Sequence, residues 1–139
     1  MYGTVRLLRD SEVFMNIHTS YYSKVRMLPK DNIIFVQVSN TVPTWFREEY
    51  YKLSKDLSPE WGIINAYKSN NISRDYFMSS YHEYLNKNFD KNEILLELSR
   101  LAESCNVENI VLLCYEKDAE YCHRTELGKW LGDFYLGEI

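Results

Sequence analysis

Apolar positions follow two different periods along this chain, and the switches between them mark its elements. Ile33-Ile34-Phe35-Val36-Gln37-Val38 and Ile110-Val111-Leu112-Leu113 are short runs rich in branched and apolar residues, the signature of strands buried on both faces of a sheet. Val13 to His18 reads as an earlier strand, and Pro29-Lys30-Asp31-Asn32 supplies the turn before the second one. Elsewhere the apolar residues recur every three or four positions. Phe46, Tyr50, Leu53 and Leu57 predict a helix from Thr44 to about Leu57, starting just after Pro43 and ended by Ser58-Pro59. Phe77, Tyr81, Tyr84 and Leu85 share one side of a helix that Ser73 would cap and that runs to about Asn88, with Asp75 favoured by the helix dipole. Asp90 and Glu93 make a capping-box-like start for the next helix, whose Ile94, Leu95, Leu98, Leu101 and Ala102 point inward. Leu127, Trp130, Leu131, Phe134 and Tyr135 predict a last helix from Thr125 onward. The stretch from Trp61 to Asn71 carries neither period clearly, and a fourth strand could hide near Trp61 to Tyr67.

Strands separated by helical stretches imply right-handed crossovers and a mainly parallel sheet covered on both faces. The expected fold class is three-layer α/β/α, Rossmann-like in outline. None of the five glycines falls in a Gly-x-Gly-x-x-Gly or Walker A pattern, so a standard dinucleotide or P-loop triphosphate site is not expected and no cofactor is implied. With 139 residues the chain reads as one domain, 1–139, large enough to bury a core without staples. Its net charge of -4 disfavours a protein that coats nucleic acid through bulk charge. The local trio Lys24, Arg26 and Lys30 keeps a smaller nucleic-acid contact open. No run of about 18 apolar residues occurs and the start MYGTVRLLRD lacks a signal peptide's apolar core, so no membrane partner is expected and cytoplasmic is the default location. Three cysteines, an odd number, argue for reduced thiols, with a Cys114–Cys122 disulfide as the alternative. The twelve tyrosines and three tryptophans suit both packing and ligand pockets, and read first as packing.

Reactive side chains concentrate in Val111–Leu131, where Cys114, Glu116, Cys122, His123 and Arg124 fall between a strand and a helix. In open α/β sheets that edge is where ligands bind, and a helix start with unpaired N–H groups attracts anions. Arg124 would add a forked donor for phosphate or carboxylate. Glu116 could activate water or simply pair with Arg124, and His123 could transfer a proton. Cys122, beside the helix start and two basic side chains, is the better thiolate candidate. Cys114, at the last apolar strand position, reads as a small core residue or a thiolate activated by His123. Cys105 reads as packing. Zinc on Cys114, Cys122 and His123, with Glu116 or His18, is disfavoured because paired Cys-x2-Cys spacings are absent, so no metal site is assigned. Neither Cys114 nor Cys122 has the Cys-x5-Arg spacing of phosphatase-like chemistry. His18, placed at the end of the first strand, could face the same edge, and Tyr21, Tyr22 and Lys24 just beyond it could stack on a base or meet a phosphate.

The blocks LLCYEKDAEYCHRTELGKWL, IHTSYYSKVRMLPKD, VPTWF and ISRDYFMSSYHEYL together resemble the domain-of-unknown-function 488 family over nearly the whole chain. The resemblance implies a compact α/β fold with a site near Glu116, Cys122, His123 and Arg124. It brings no function with it, although some relatives have been connected with excision of damaged bases from DNA. One departure is that many longer members carry Asp-Val-Arg at the end of the second strand, where this chain has Gln37-Val38-Ser39. The leading expectation is a small anionic, nucleotide-like or nucleobase ligand held by Arg124, with Glu116 and His123 for hydrolysis. The alternatives are a non-catalytic ligand-binding or sequestering module, and a DNA base-excision enzyme recruiting Lys24, Arg26 and Lys30.

Overall fold

The unbroken apolar run from Ile110 to Leu113 lies in the middle of the sheet, where both faces are covered. The computed structural model describes residues 3–7, 11–115 and 123–139. Among them are strands β1 (Gly3–Leu7), β2 (Ser11–Tyr21), β3 (Ile33–Gln37), β4 (Tyr51–Lys52), β5 (Asn109–Cys114) and β6 (Tyr135–Glu138). Four helices accompany them, α1 (Trp61–Lys68), α2 (Arg74–Asn88), α3 (Lys91–Cys105) and α4 (Arg124–Leu131). The sheet runs β1-β2-β5-β3-β4, and β6 joins the β1 side of β2. β2, β3, β4, β5 and β6 are mutually parallel where they pair. Only the first half of β2 is antiparallel to a neighbour, Gly3 facing Met15 and Leu7 facing Ser11. The same edge of β2 then takes β6 opposite Ile17–Thr19, with a register shift between Ile17 and His18.

Alternation along β5 divides the core in two. Ile110 and Leu112 face a large core with Tyr81 and Leu85 of α2, Leu98 of α3 and Leu127 and Trp130 of α4. Val111 and Leu113 face a smaller one with Phe35, Phe46, Tyr22 and Val25. The fold is three-layer α/β, with the helices on one face and the 3-10 turn Tyr22–Met27 and the loop around Phe46 on the other. The helix caps follow the sequence. Ser73 Oγ accepts from Tyr76 N at 3.1 Å, Asp90 Oδ1 accepts from Asn92 N at 2.9 Å, and Asn106 closes α3 in the left-handed region.

Four expectations change. The Thr44–Leu57 segment is not a helix, because its apolar residues serve opposite faces of the sheet: Phe46 enters the small core, Leu53 and Leu57 the large one. Between them β4 extends the sheet, held by Glu97 of α3, which accepts from Tyr51 Oη, Ser54 N and Ser54 Oγ. Trp61–Lys68 is a helix, not a strand, and none of its residues is fully buried, which explains its blurred pattern. Phe134 and Tyr135 leave the last helix because Gly132, at φ 92°, turns the chain into β6. The first strand also runs on to Tyr21, so His18 does not end it; its Nε2 lies 3.0 Å from Asn109 Oδ1, at the amino end of β5.

Candidate functional site at the carboxyl edge of the sheet

β3 and β5 are parallel neighbours, so the residues after both strands meet at one edge. Ser39, Asn40 and Thr41 follow β3, and Cys114 and Tyr115 close β5. His123 precedes α4, and α1 contributes Trp61, Ile64, Tyr67 and Lys68. With Phe77 of α2, these enclose a cleft of about 420 Å³, within the ordinary range for small-ligand sites and at the position where open α/β sheets bind them. Its walls are largely aromatic: Tyr67 stacks on Phe77 with centroids 4.5 Å apart, and Trp61 is 67% exposed at the rim.

The wall after β3 is braced from below. Ser39 Oγ donates to Thr41 O at 2.6 Å, which leaves it to accept from Tyr22 Oη at 2.7 Å. Burial drives the Tyr22 hydroxyl up to about 12, so it stays protonated and donating. Gln37 Nε2 donates to Ser39 O at 3.0 Å, and Thr41 Oγ1 meets Tyr115 Oη at 3.0 Å. Gln37, Val38 and Ser39, the departure noted in the sequence, therefore form the frame of this wall.

His123 is buried at the cleft floor. A carbonyl can only accept, so the 2.8 Å contact between His123 Nε2 and Val38 O places a proton on Nε2. In the neutral ring Nδ1 then carries the lone pair, 3.8 Å from Cys114 Sγ. Tyr81 meets the ring edge-on at 5.3 Å, its own hydroxyl donating to Leu57 O and raised well above 10 by burial.

Not every residue singled out by the sequence reaches this cleft. Arg124 has 0% side-chain exposure, and its Nε and Nη2 donate to the two carboxylate oxygens of Glu138, each at 2.9 Å. That fork is taken by the chain itself, so Arg124 is not positioned as the ligand's anion holder; its guanidinium also lies 5.7 Å from the Tyr21 ring centroid. Burial raises the Glu138 carboxyl, but the hydrogen bonds from Arg124 and Thr19 and the charges of Arg124 and Lys24 outweigh it, and the group titrates below its ordinary value. Tyr21 and Lys24 belong to this corner. Tyr22 is buried, edge-on to Phe46 and Tyr115 at 5.0 and 5.4 Å, with no open face for a base. Glu116 and Cys122 lie outside the described residues. Cys114 is disulfide-bonded, against the expectation of reduced thiols, since an odd count still leaves room for one bridge. Cys105 is free and exposed rather than packed, because α3 ends there. Among the described residues no group of three or more His, Cys, Asp or Glu is placed to hold a metal ion.

Sequence reasoning missed Asn40, Thr41, Trp61, Tyr67, Lys68, Phe77 and Tyr115 as lining residues. The usable signal was Trp61 and Tyr67, two large aromatics in the very stretch whose period was unclear. No curated protein and no solved structure matches this chain. A family model described as the active DUF488-N3 subclade, DUF488-N3a, matches residues 17–133. The chain belongs to the DUF488 family. In this DUF488 protein the matched span contains every residue lining the cleft, while Glu138, the partner of Arg124, lies beyond it. The Cys-His-Arg block of the family is thus divided here: His123 faces the cleft, and Arg124 faces the last strand.

Proposed function

We propose that the cleft binds a nucleobase-containing, phosphate-bearing small molecule, and that His123 moves a proton on it. The observation that carries this reading is the pairing of an aromatic-walled cleft of about 420 Å³ with a histidine whose tautomer is fixed by Val38 O. Trp61 and Tyr115 offer faces for a planar base, Asn40 and Thr41 offer polar edges to read it, and Lys68 of α1 offers a cation for the phosphate. Hydrolysis would add Glu116, directly after Tyr115 in sequence, as the group that activates water. The subclade's description as active fits an enzyme better than a sequestering module. A DNA-tracking role is less supported, because Lys30 Nζ donates to the carbonyls of Val25 and Leu28, and Lys24 interacts with Glu138.

A panel of nucleoside mono- and diphosphates, read by melting temperature and tryptophan fluorescence, tests the binding. A ligand at about 100 times its Kd should add about 2.7 kcal/mol of stability. Trp61→Ala or Asn40→Ala should weaken binding about tenfold or more without changing the melting temperature of the free protein by much. Glu116→Gln should leave binding intact and stop turnover; binding without turnover in the unmodified chain would make the protein a sequestering module. No shift and no quenching with any member of the panel would overturn the reading.

A further inference from the structure

The cleft holds one reactive pair, Cys114 and His123, of which the nucleotide reading uses only the histidine. Cys114 ends β5 at the cleft wall, with its Sγ 3.8 Å from the Nδ1 of His123. Val38 O, 2.8 Å from Nε2, fixes the ring so that its basic nitrogen faces the sulfur. A sulfur, a base and a third group that orients the base are therefore in sequence, the arrangement that activates thiols for covalent catalysis. In the structure Cys114 is held in a disulfide, and a disulfide sulfur cannot ionise.

We propose that Cys114 is a redox-gated nucleophile of this cleft, closed as the disulfide and opened by a dithiol reductant. Opening transfers two electrons and two protons from the dithiol, which leaves as its own disulfide. The freed Cys114 thiol gives its proton to His123 Nδ1, and the thiolate attacks an electrophilic carbon of the bound ligand. The S–C bond forms as the bond from that carbon to the leaving group breaks, and Nδ1 returns the proton to the leaving group. Around the pair, Lys68 of α1 and Tyr115 after β5 line the same cleft, and Tyr81 of α2 packs edge-on against the His123 ring with its hydroxyl held protonated by burial. The inference shares the cleft with the nucleotide reading and rests on it only for what the electrophile is. Thiol labelling needs no nucleotide, so the two can fail separately.

The test is iodoacetamide labelling of the full chain between pH 5.5 and 9, resolved by peptide mass spectrometry, with the exposed Cys105 as internal reference. Without reductant, Cys105 should label and Cys114 should not. After dithiothreitol, the Cys114 rate should stay nearly level down to about pH 6, whereas an ordinary thiol slows about tenfold per pH unit below roughly 8.5. His123→Asn should return Cys114 to that ordinary slope. Because His123 is buried, the variant is compared only if its melting temperature is retained, and the profile of the unmodified chain decides by itself. Labelling of Cys114 before reduction, no labelling after it, or a slope parallel to that of Cys105 would each overturn the proposal.

Discussion

Arg124 shows how one side chain can change role when its surroundings are known. Read beside His123 it is an obvious anion receptor, yet its Nε and Nη2 both lie 2.9 Å from Glu138. A wholly buried guanidinium is costly unless its charge is matched, so Glu138 stabilises the start of α4 and, through it, the His123 position. Glu138→Gln should therefore destabilise the fold by up to about 3 kcal/mol, the lower end for breaking a buried pair, because the carboxylate is itself partly exposed. Chemical denaturation of the two proteins at neutral pH measures this. The folded carboxyl titrates below its ordinary 4.5, so its contribution is present above that value and disappears as pH falls through the folded pKa. The stability gap between the unmodified chain and Glu138→Gln should accordingly narrow below about pH 4.5, and a gap unchanged to pH 3 would refute the role assigned to the pair.

At the scale of elements, two glycines test opposite consequences of backbone geometry. Gly132 adopts φ 92° and ψ -137° with nothing within 4 Å of an added Cβ, so Gly132→Ala meets backbone strain and no clash. It should cost about 1–3 kcal/mol and loosen the passage from α4 to β6. Gly62 lies in α1, equally open but at an ordinary helical φ, and Gly62→Ala should stabilise the protein by up to about 1 kcal/mol. Paired urea titrations give both signs. The same contrast explains what was legible in the sequence. α2 and α3 each bury one face and carry a side-chain cap, so period and cap agreed. The segment over residues 42–58, loop apart from β4, showed a helical spacing by coincidence, since it wraps the sheet edge and sends Phe46 to one core and Leu53 and Leu57 to the other. β6 was hidden because its burial alternates only weakly, and the turn at Gly132 lay inside an apolar pattern that continued past it.

For the whole molecule, the sheet's carboxyl edge was the part of the site that sequence could place, because strand-end and helix-start signals are local. The partners across that edge were not legible: Val38 O and His123 are 85 positions apart, and Glu138 lies 14 positions from Arg124 on a strand whose first residue, Tyr135, read as helix. The tyrosine-rich composition acquires a meaning only at this scale. Burial raises the hydroxyls of Tyr22, to about 12, and of Tyr81 and Tyr135; Tyr51 is raised chiefly by its bond to Glu97. In the unfolded chain these phenols ionise near 10. Each group binds its proton more tightly when folded, so its stabilising contribution is full below about pH 10 and is lost as pH rises towards the folded value. Because these tyrosines are distributed over the 3-10 turn after β2, β4, α2 and β6, their losses add across the molecule. Stability should fall steeply between about pH 10 and 12, by up to about 1.4 kcal/mol per pH unit for each phenol still protonated in the fold. Phenolate absorbance should then rise together with loss of the folded signal. Tyr22→Phe should shallow the slope by one proton while losing the bond to Ser39, and phenolate appearing well before unfolding would show that the tyrosines do not carry the alkaline limit of this fold.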